Sequence, residues 1–253
     1  MSSASQREIL NIRTRTQASY RIFEFIQKYS PTRKNLIDTF SLGETELAEN
    51  SLLFLRLLGF VKEEDKIIAR VKVSDEYDFK LRILQAIYKH RDVMVSYVGD
   101  VVRQIYRQGQ DLNENELLVI LRDVRRKAEL SDETMKDTGK LENLKPILTY
   151  LGVIGKGVIG NRVTYYQCLD PLLLHKLMGF YLEEHDSIQL AEFLEWLDKD
   201  CVPTLESGRP YEAIARGLEA AERMALMKLD NPSDFRKKVK IGGRDVSRVV
   251  LAI

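Results

Sequence analysis

Apolar residues in this chain recur mostly at helical spacing, interrupted by two short stretches that read as paired strands. Over 17–29, Tyr20, Phe23 and Ile26 fall on one helical face, joined by Ile22 and Phe25. Ser30-Pro31-Thr32 ends this helix and caps the next, because proline suits a first helical turn and not an interior. A short second helix over 33–40 carries Leu36, Ile37 and Phe40, and Leu42-Gly43 makes a turn. A third helix over 44–58 turns Leu47, Leu52, Leu55 and Leu58 inward, with Phe54 beside them. Gly59 stands where a helix end needs a residue that tolerates positive φ. Phe60-Val61, a charged turn at 62–66 and the stretch 67–73 then predict a hairpin.

The stretch 49–73, ENSLLFLRLLGFVKEEDKIIARVKV, recurs 93 residues later as 142–166, ENLKPILTYLGVIGKGVIGNRVTYY. Glu49-Asn50 match Glu142-Asn143, Phe54-Leu55 match Ile147-Leu148, Leu58-Gly59 match Leu151-Gly152, and Phe60-Val61 match Val153-Ile154. A fixed offset of this kind marks a repeated unit. Amphipathic helices over 78–91 and 93–108 join the two copies, and Gly109-Gln110-Asp111 breaks the pattern. The second copy places Leu117, Ile120, Leu121 and Val124 on one face, has a cap-like Ser131-Asp132-Glu133, and has its third helix from about Gly139 to Leu151. Pro146 lies inside that helix, where a regular interior would lose about 3 kcal/mol, so a kink or a late start is expected. Gly152 ends the helix, and 153–168 form the second hairpin.

Beyond residue 170 the spacing is helical over 171–185, 187–200 and 209–229, the last with Tyr211, Ile214, Leu218, Ala221 and Ala225 on one face, until Asn231-Pro232. The basic tail 233–253 has Gly242-Gly243 at its centre and an apolar end, which predicts a hairpin or a docking strand. Residues 1–16 are polar and basic and read as an arm or a short first helix. Three helices and a hairpin in sequence resemble a winged helix. The expected fold class is therefore mainly α with small β-hairpins, as two winged-helix units followed by a helical C-terminal region. The expected domains are 1–76, the first unit with its basic arm; 77–111, a helical connector; 112–169, the second unit; and 170–253, the helical region with the basic tail.

Composition changes this picture little. At 44% hydrophobic and 30% charged the 253 residues read as a folded globular chain, and the net charge of +1 gives no global basic field. The distribution is uneven. Residues 1–34 hold seven basic residues against Glu8 and Glu24, and 232–248 hold six against Asp234 and Asp245. Residues 176–206 hold eight acidic residues against Lys176 and Lys199. No apolar run approaches the ~20 residues of a membrane span, and the N-terminus has no secretory apolar core. Two cysteines, Cys168 and Cys201, make neither a disulfide framework nor a zinc site, so a reducing, cytoplasmic setting without membrane contact is expected.

No enzyme signature survives its context. Gly155-Lys156-Gly157-Val158-Ile159-Gly160 is literally G-x-G-x-x-G, but a dinucleotide site needs a strand before and a helix after, and here the order is reversed. His90-Arg91-Asp92 lacks every companion of a kinase catalytic loop. His175, His185, Glu183 and Glu184, and the pair Asp198 and Asp200, read as surface residues of acidic helices rather than metal ligands. No catalytic residue, cofactor or metal is expected.

A winged helix that reads DNA sets its third helix in the major groove and its hairpin on the backbone, which demands donors and cations there. The first unit offers carboxylates instead, Glu44, Glu46 and Glu49, and these are assigned to protein binding. The second offers Lys140, Asn143 and Lys145 on the helix, Lys156, Asn161 and Arg162 on the hairpin, and Arg122, Arg125, Arg126 and Lys127 on its preceding helix. The tail adds Arg236, Lys237 and Lys238. The pair resembles tandem winged-helix proteins, among them transcription regulators and the kleisin-interacting tandem winged-helix subunits of condensin-like complexes. The second group implies protein binding as the main use. The expected function is a non-catalytic subunit of a DNA-handling complex, in genome maintenance or anti-phage defence, that binds partner subunits and, weakly and non-specifically, DNA. A dimeric winged-helix transcription regulator and an enzyme with an unrecognised site are the alternatives.

Overall fold

The computed structural model describes residues 8–13, 16–40, 45–130, 136–232 and 237–252. It is mainly helical, 57% in all, with ten α-helices and short antiparallel strands among the described residues. The chain gathers into two compact units, Met1–Val98 with Leu121–Leu151, and Gly99–Ile120 with Gly152–Ile253. Among the described residues no helix is long and apolar enough to cross a membrane.

The first unit begins with a 3-10 turn at Ile9–Asn11 and three helices, α1 (Thr16–Tyr29), α2 (Arg33–Phe40) and α3 (Thr45–Leu57). Ile22, Phe23 and Ile26 of α1, Leu36 of α2 and Leu55 of α3 are fully enclosed, as their spacing predicts. Gly59 has φ +74, and the Phe60 N–H reaches back to Leu55 C=O at 2.9 Å, which closes α3 and aims the chain into β1 (Val61–Glu63). β1 pairs antiparallel with β2 (Ile67–Ala69). The Ile67 N–H also donates to Pro31 C=O at 2.8 Å, so the link between α1 and α2 lies beside the last strand. Phe23, Phe60 and Phe79 form an aromatic cluster with ring centroids 5.4–5.9 Å apart. Phe79 comes from α4 (Glu76–Lys89), whose first turn is capped by Asp75 accepting from the Asp78 N–H. The predicted turn at Leu42-Gly43 and the cap at Ser131-Asp132-Glu133 lie outside the described residues.

Next in sequence come α5 (Val93–Arg107), α6 (Glu114–Lys127) and α7 (Asp137–Tyr150). α7 runs through Pro146 and starts before Gly139, so the expected late start does not occur; Pro146 sits on an exposed side. Gly152 follows with φ +70, and β3 (Gly155–Ile159) pairs with β4 (Arg162–Tyr166). Both hairpins therefore lie where the sequence repeat puts them. Within the second unit Leu112 bridges to Tyr165 of β4, and the buried Tyr106 hydroxyl donates to Val153 C=O at 2.9 Å.

The C-terminal stretch of the second unit departs from an all-helical reading. α8 (Pro171–Leu182) is capped by Asp170, which accepts from the Leu172 and Leu173 N–H groups. β5 (Ile188–Gln189) precedes α9 (Leu190–Asp200), and the small hairpin of β6 (Leu205–Glu206) and β7 (Arg209–Pro210) leads to α10 (Glu212–Arg223). α10 ends earlier than the predicted residue 229, because 227–230 alternate buried and exposed and form β8 (Met227–Asp230). β9 (Val239–Ile241) and β10 (Arg244–Val246) make a hairpin, and β11 (Arg248–Leu251) docks between β5 and β8. The tail thus supplies both the hairpin and the docking strand its composition suggested. Ile188, Val249 and Leu229 stand opposite one another and are all buried, giving the sheet one core face. α8 and α10 pack closely at Gly217, where an added Cβ would lie 2.8 Å from Leu174 Cδ1 of α8 and 2.5 Å from Leu169 O just before it.

Candidate functional site

A fully enclosed carboxylate, that of Glu8, lies in the first unit. It is 0% exposed and accepts from Arg125 Nε at 3.0 Å and Nη2 at 2.7 Å, Lys140 Nζ at 3.1 Å and the Tyr97 hydroxyl at 3.1 Å. Lys140 Nζ also donates to Asn11 Oδ1 at 2.5 Å, and Arg125 Nη1 pairs with Asp137. Asn143 Nδ2 donates to Leu10 C=O at 2.8 Å. Two carboxylates and two cations balance in charge, which is how such groups tolerate burial. Burial works against the Arg125 charge, but Glu8 and Asp137 outweigh it and hold the guanidinium above its ordinary pKa. Burial first, then the Glu8 charge, pushes the Tyr97 phenol far up, so it stays a donor.

Two residues assigned to DNA, Arg125 and Lys140, are therefore corrected. Both are turned into this cluster, with side chains 9% and 0% exposed, and neither reaches solvent phosphate. The reason lies in α7 itself. Lys140, Asn143, Leu144 and Ile147 are spaced i, i+3, i+4, i+7 and share the buried stripe of the helix. The outward residues of α7 are Thr138, Glu142, Pro146 and Thr149, while Lys145 is half-buried and holds Glu142 at 2.6 Å. The other basic residues of this group stay outside. Arg122 is exposed but pairs with Asp137 at 3.3 Å, Arg126 is exposed and pairs with Asp123 at 2.9 Å, and Lys127 is exposed. Glu8, Asn11, Tyr97 and Asp137 are site residues that sequence reasoning passed over. The signal was Ile9, Leu10 and Ile12, three apolar residues in an otherwise polar arm, all buried in the fold.

The outward face of α3 is acidic, with Glu46 and Glu49 exposed; Glu44 lies outside the described residues. Arg33 bridges Glu49 at 3.2 Å and Glu63 at 3.4 Å, and Arg56 reaches Glu63 at 2.9 Å, so part of this charge is spent tying α2, α3 and β1 together. Exposed pairs of this kind contribute about 0–1 kcal/mol each.

In the second unit the β3–β4 hairpin carries Lys156, Asn161 and Arg162 on exposed positions, with Val158 66% exposed opposite Val163. Here the G-x-G-x-x-G run finds its cause. The Tyr166 side chain lies across Gly155 and Gly157, and a Cβ on Gly157 would run into its ring and hydroxyl, while Gly160 turns the chain with φ +60. Gly157→Ala is expected to dislodge Tyr166 and to speed hydrogen exchange of the hairpin amides. Millimolar ATP, GTP or NAD should leave the melting temperature of the wild type unchanged. A nucleotide-dependent rise that the variant loses would restore the phosphate-site reading. Of the tail cations, Lys237 and Lys238 are exposed, Lys237 lying 3.5 Å from Glu195; Arg236 lies outside the described residues.

Several of the remaining chemical candidates have structural partners. His90 Nε2 is 3.0 Å from Leu57 O, and Asp92 accepts from the Met94 N–H at the start of α5. Asp198 accepts from the Thr204 and Leu205 N–H groups and shapes the turn after α9. His185 stacks on Tyr181 at 3.8 Å. Burial, then Asp170, push the Cys168 thiol up against the pull of Arg216 and Arg223, the opposite of an activated nucleophile. Among the described residues no group of three or more His, Cys, Asp or Glu side chains is gathered to hold a metal. Comparison of the chain with protein-family models, with curated proteins and with solved structures finds no match.

Proposed function

We propose that the protein is a non-catalytic, tandem winged-helix subunit of a DNA-handling complex, in genome maintenance or anti-phage defence, which binds partner proteins chiefly and DNA weakly. The order helix, helix, helix, left-handed glycine and hairpin at 16–69, and its partial recurrence as α6, α7, Gly152 and the β3–β4 hairpin, support the winged-helix part of this reading. The single observation that carries the rest is what the two third helices turn outward. α3 presents Glu46, Glu49 and, in its last turn, Arg56, which is held by Glu63, and α7 presents Thr138, Glu142, Pro146 and Thr149 with no fully exposed cation. A helix that reads a major groove needs donors for base edges and must not set carboxylates against phosphate. Helices of this kind suit a protein surface instead.

DNA then meets cations of each unit separately as point charges on the backbone, Lys156, Arg162, Lys237 and Lys238 in one and Arg122, Arg126 and Lys127 in the other. Selection from a pool of random duplexes tests the reading against the dimeric regulator. No enriched motif is expected, because phosphate contacts carry no sequence information. Enrichment of a palindrome with half-sites about one helical turn apart would favour the regulator.

A further inference from the structure

The C-terminal stretch repeats an order of elements already met in the first unit. There the order is α1, the Pro31 link paired to the last strand, α2, α3, β1 and β2. Here, leaving aside the inserted β6–β7 and β9–β10 hairpins, it is α8, β5, α9, α10, β8 and β11, with β11 between β5 and β8 so that the first strand again pairs with the last. The helix ends agree as well. After α3, Gly59 at φ +74 is followed by a Phe60 N–H that reaches Leu55 C=O. After α10, Ala225 at φ +56 is followed by a Leu226 N–H that reaches Ala221 C=O at 3.0 Å. An alanine held in the left-handed region is disfavoured, and it persists only where the surrounding structure fixes the turn.

Two segments differ, the β6–β7 hairpin between α9 and α10 and the longer stretch between β8 and β11. The latter contains the β9–β10 hairpin, which turns back onto α10. Ile241 and Val246 are 0% and 2% exposed. Arg244 Nη2 pairs with Glu222 at 2.5 Å, and Gly242, at φ +53, lies so close over Glu219 that a Cβ would meet its Cδ at 2.9 Å. Glu222 also accepts from the Leu229 N–H, which ties the end of α10 to β8.

We infer that residues 171–251 are a third winged-helix module whose wing is folded back as a strap, closing the side of α10 that a groove-reading module leaves open. This inference rests on the winged-helix reading of the earlier repeats, and it extends the tandem pair to an array of three. It also gives the strap a consequence. α10 is closed by Arg244 and Gly242, while Lys240 of β9 stays exposed and Lys237 lies near Glu195 of α9.

Two measurements on the full chain separate the module from its strap. The first uses cysteine pairs at directly opposed strand positions, whose Cα separations suit a disulfide. Gln189→Cys with Arg248→Cys and Lys228→Cys with Val250→Cys should each cross-link on mild oxidation, while Gln189→Cys with Lys228→Cys should not, because β11 lies between those strands. Failure of either opposed pair, or efficient linking of the third, overturns the module and leaves the reading of the first two repeats standing. The second is hydrogen exchange in Arg244→Glu, which sets like charges against Glu222 and Glu219. Amides of 239–246 should exchange about threefold to tenfold faster, with β5, β8 and β11 unchanged, while Arg244→Lys, which keeps the positive charge beside Glu222, should stay protected. Unchanged hairpin amides, or loss of β8 and β11 protection along with the hairpin, overturns the strap.

Discussion

Glu8→Ala is expected to destabilise the first unit by about 3–5 kcal/mol, the cost typical of removing one partner from a buried ion cluster. The size follows from what the carboxylate leaves behind. Arg125 keeps Asp137, and Lys140 keeps Asn11, but Tyr97 loses its acceptor and two enclosed cations share a single remaining carboxylate. A buried charge without compensation costs far more than an exposed one. The segment it anchors would be loosened as well, and held by Asn143 at Leu10 C=O and by the burial of Ile9, Leu10 and Ile12. Urea unfolding followed by circular dichroism measures the loss, and hydrogen exchange at 9–12 locates it. Glu8→Leu combined with Lys140→Leu removes one charge of each sign and should lose clearly less, because apolar groups replace a buried pair at little net cost. A Glu8→Ala variant as stable as the wild type would mean that the arm is not docked in solution.

Neutralising Lys156 and Arg162 together is expected to weaken binding to random duplex and to lower the slope of log K against log salt by about 2, near 0.9 for each phosphate no longer neutralised. Both side chains are exposed on the β3–β4 hairpin, so they can reach phosphate without leaving solvent. The weakening should be alike for all sequences. Lys140→Ala is the informative contrast. Its ammonium is enclosed against Glu8, so the salt slope should not change while stability falls. If Lys140→Ala lowers the slope and the hairpin variant does not, the DNA surface has been placed on the wrong element.

The parts of the fold that are readable in the sequence are those whose local chemistry is explicit. Gly59 and Gly152 both adopt positive φ at the ends of third helices, and the apolar pairs after them enter hairpins, so the repeat is visible by eye. The same junction after α10 is made by Ala225, and without the glycine the stretch 224–230 reads as more helix. The alternation of Met227, Lys228, Leu229 and Asp230 is too short to outweigh the helical spacing before it. The candidate site is hidden in a different way. Arg125 and Lys140 read as exposed because they are charged, although Lys140 falls on the apolar stripe of α7. Only a carboxylate more than a hundred residues away in sequence makes that burial tolerable, as the Lys140 and Glu8 separation of 132 shows, and no local pattern announces such a partner.

The acidic face of α3 bears most directly on the proposed function. Glu46→Ala/Glu49→Ala removes two exposed carboxylates and one exposed ion pair to Arg33, so the fold should lose no more than about 1 kcal/mol. The deciding measurement is quantitative mass spectrometry of complexes purified through this chain from its native cells, after nuclease treatment and a high-salt wash, for the wild type and this variant side by side. The expected result is a stoichiometric set of protein subunits on the wild type that is depleted from the variant, with random-duplex affinity unchanged between the two. Wild-type protein that emerges without stoichiometric partners, or a variant that keeps every subunit but loses DNA, would overturn the proposed function.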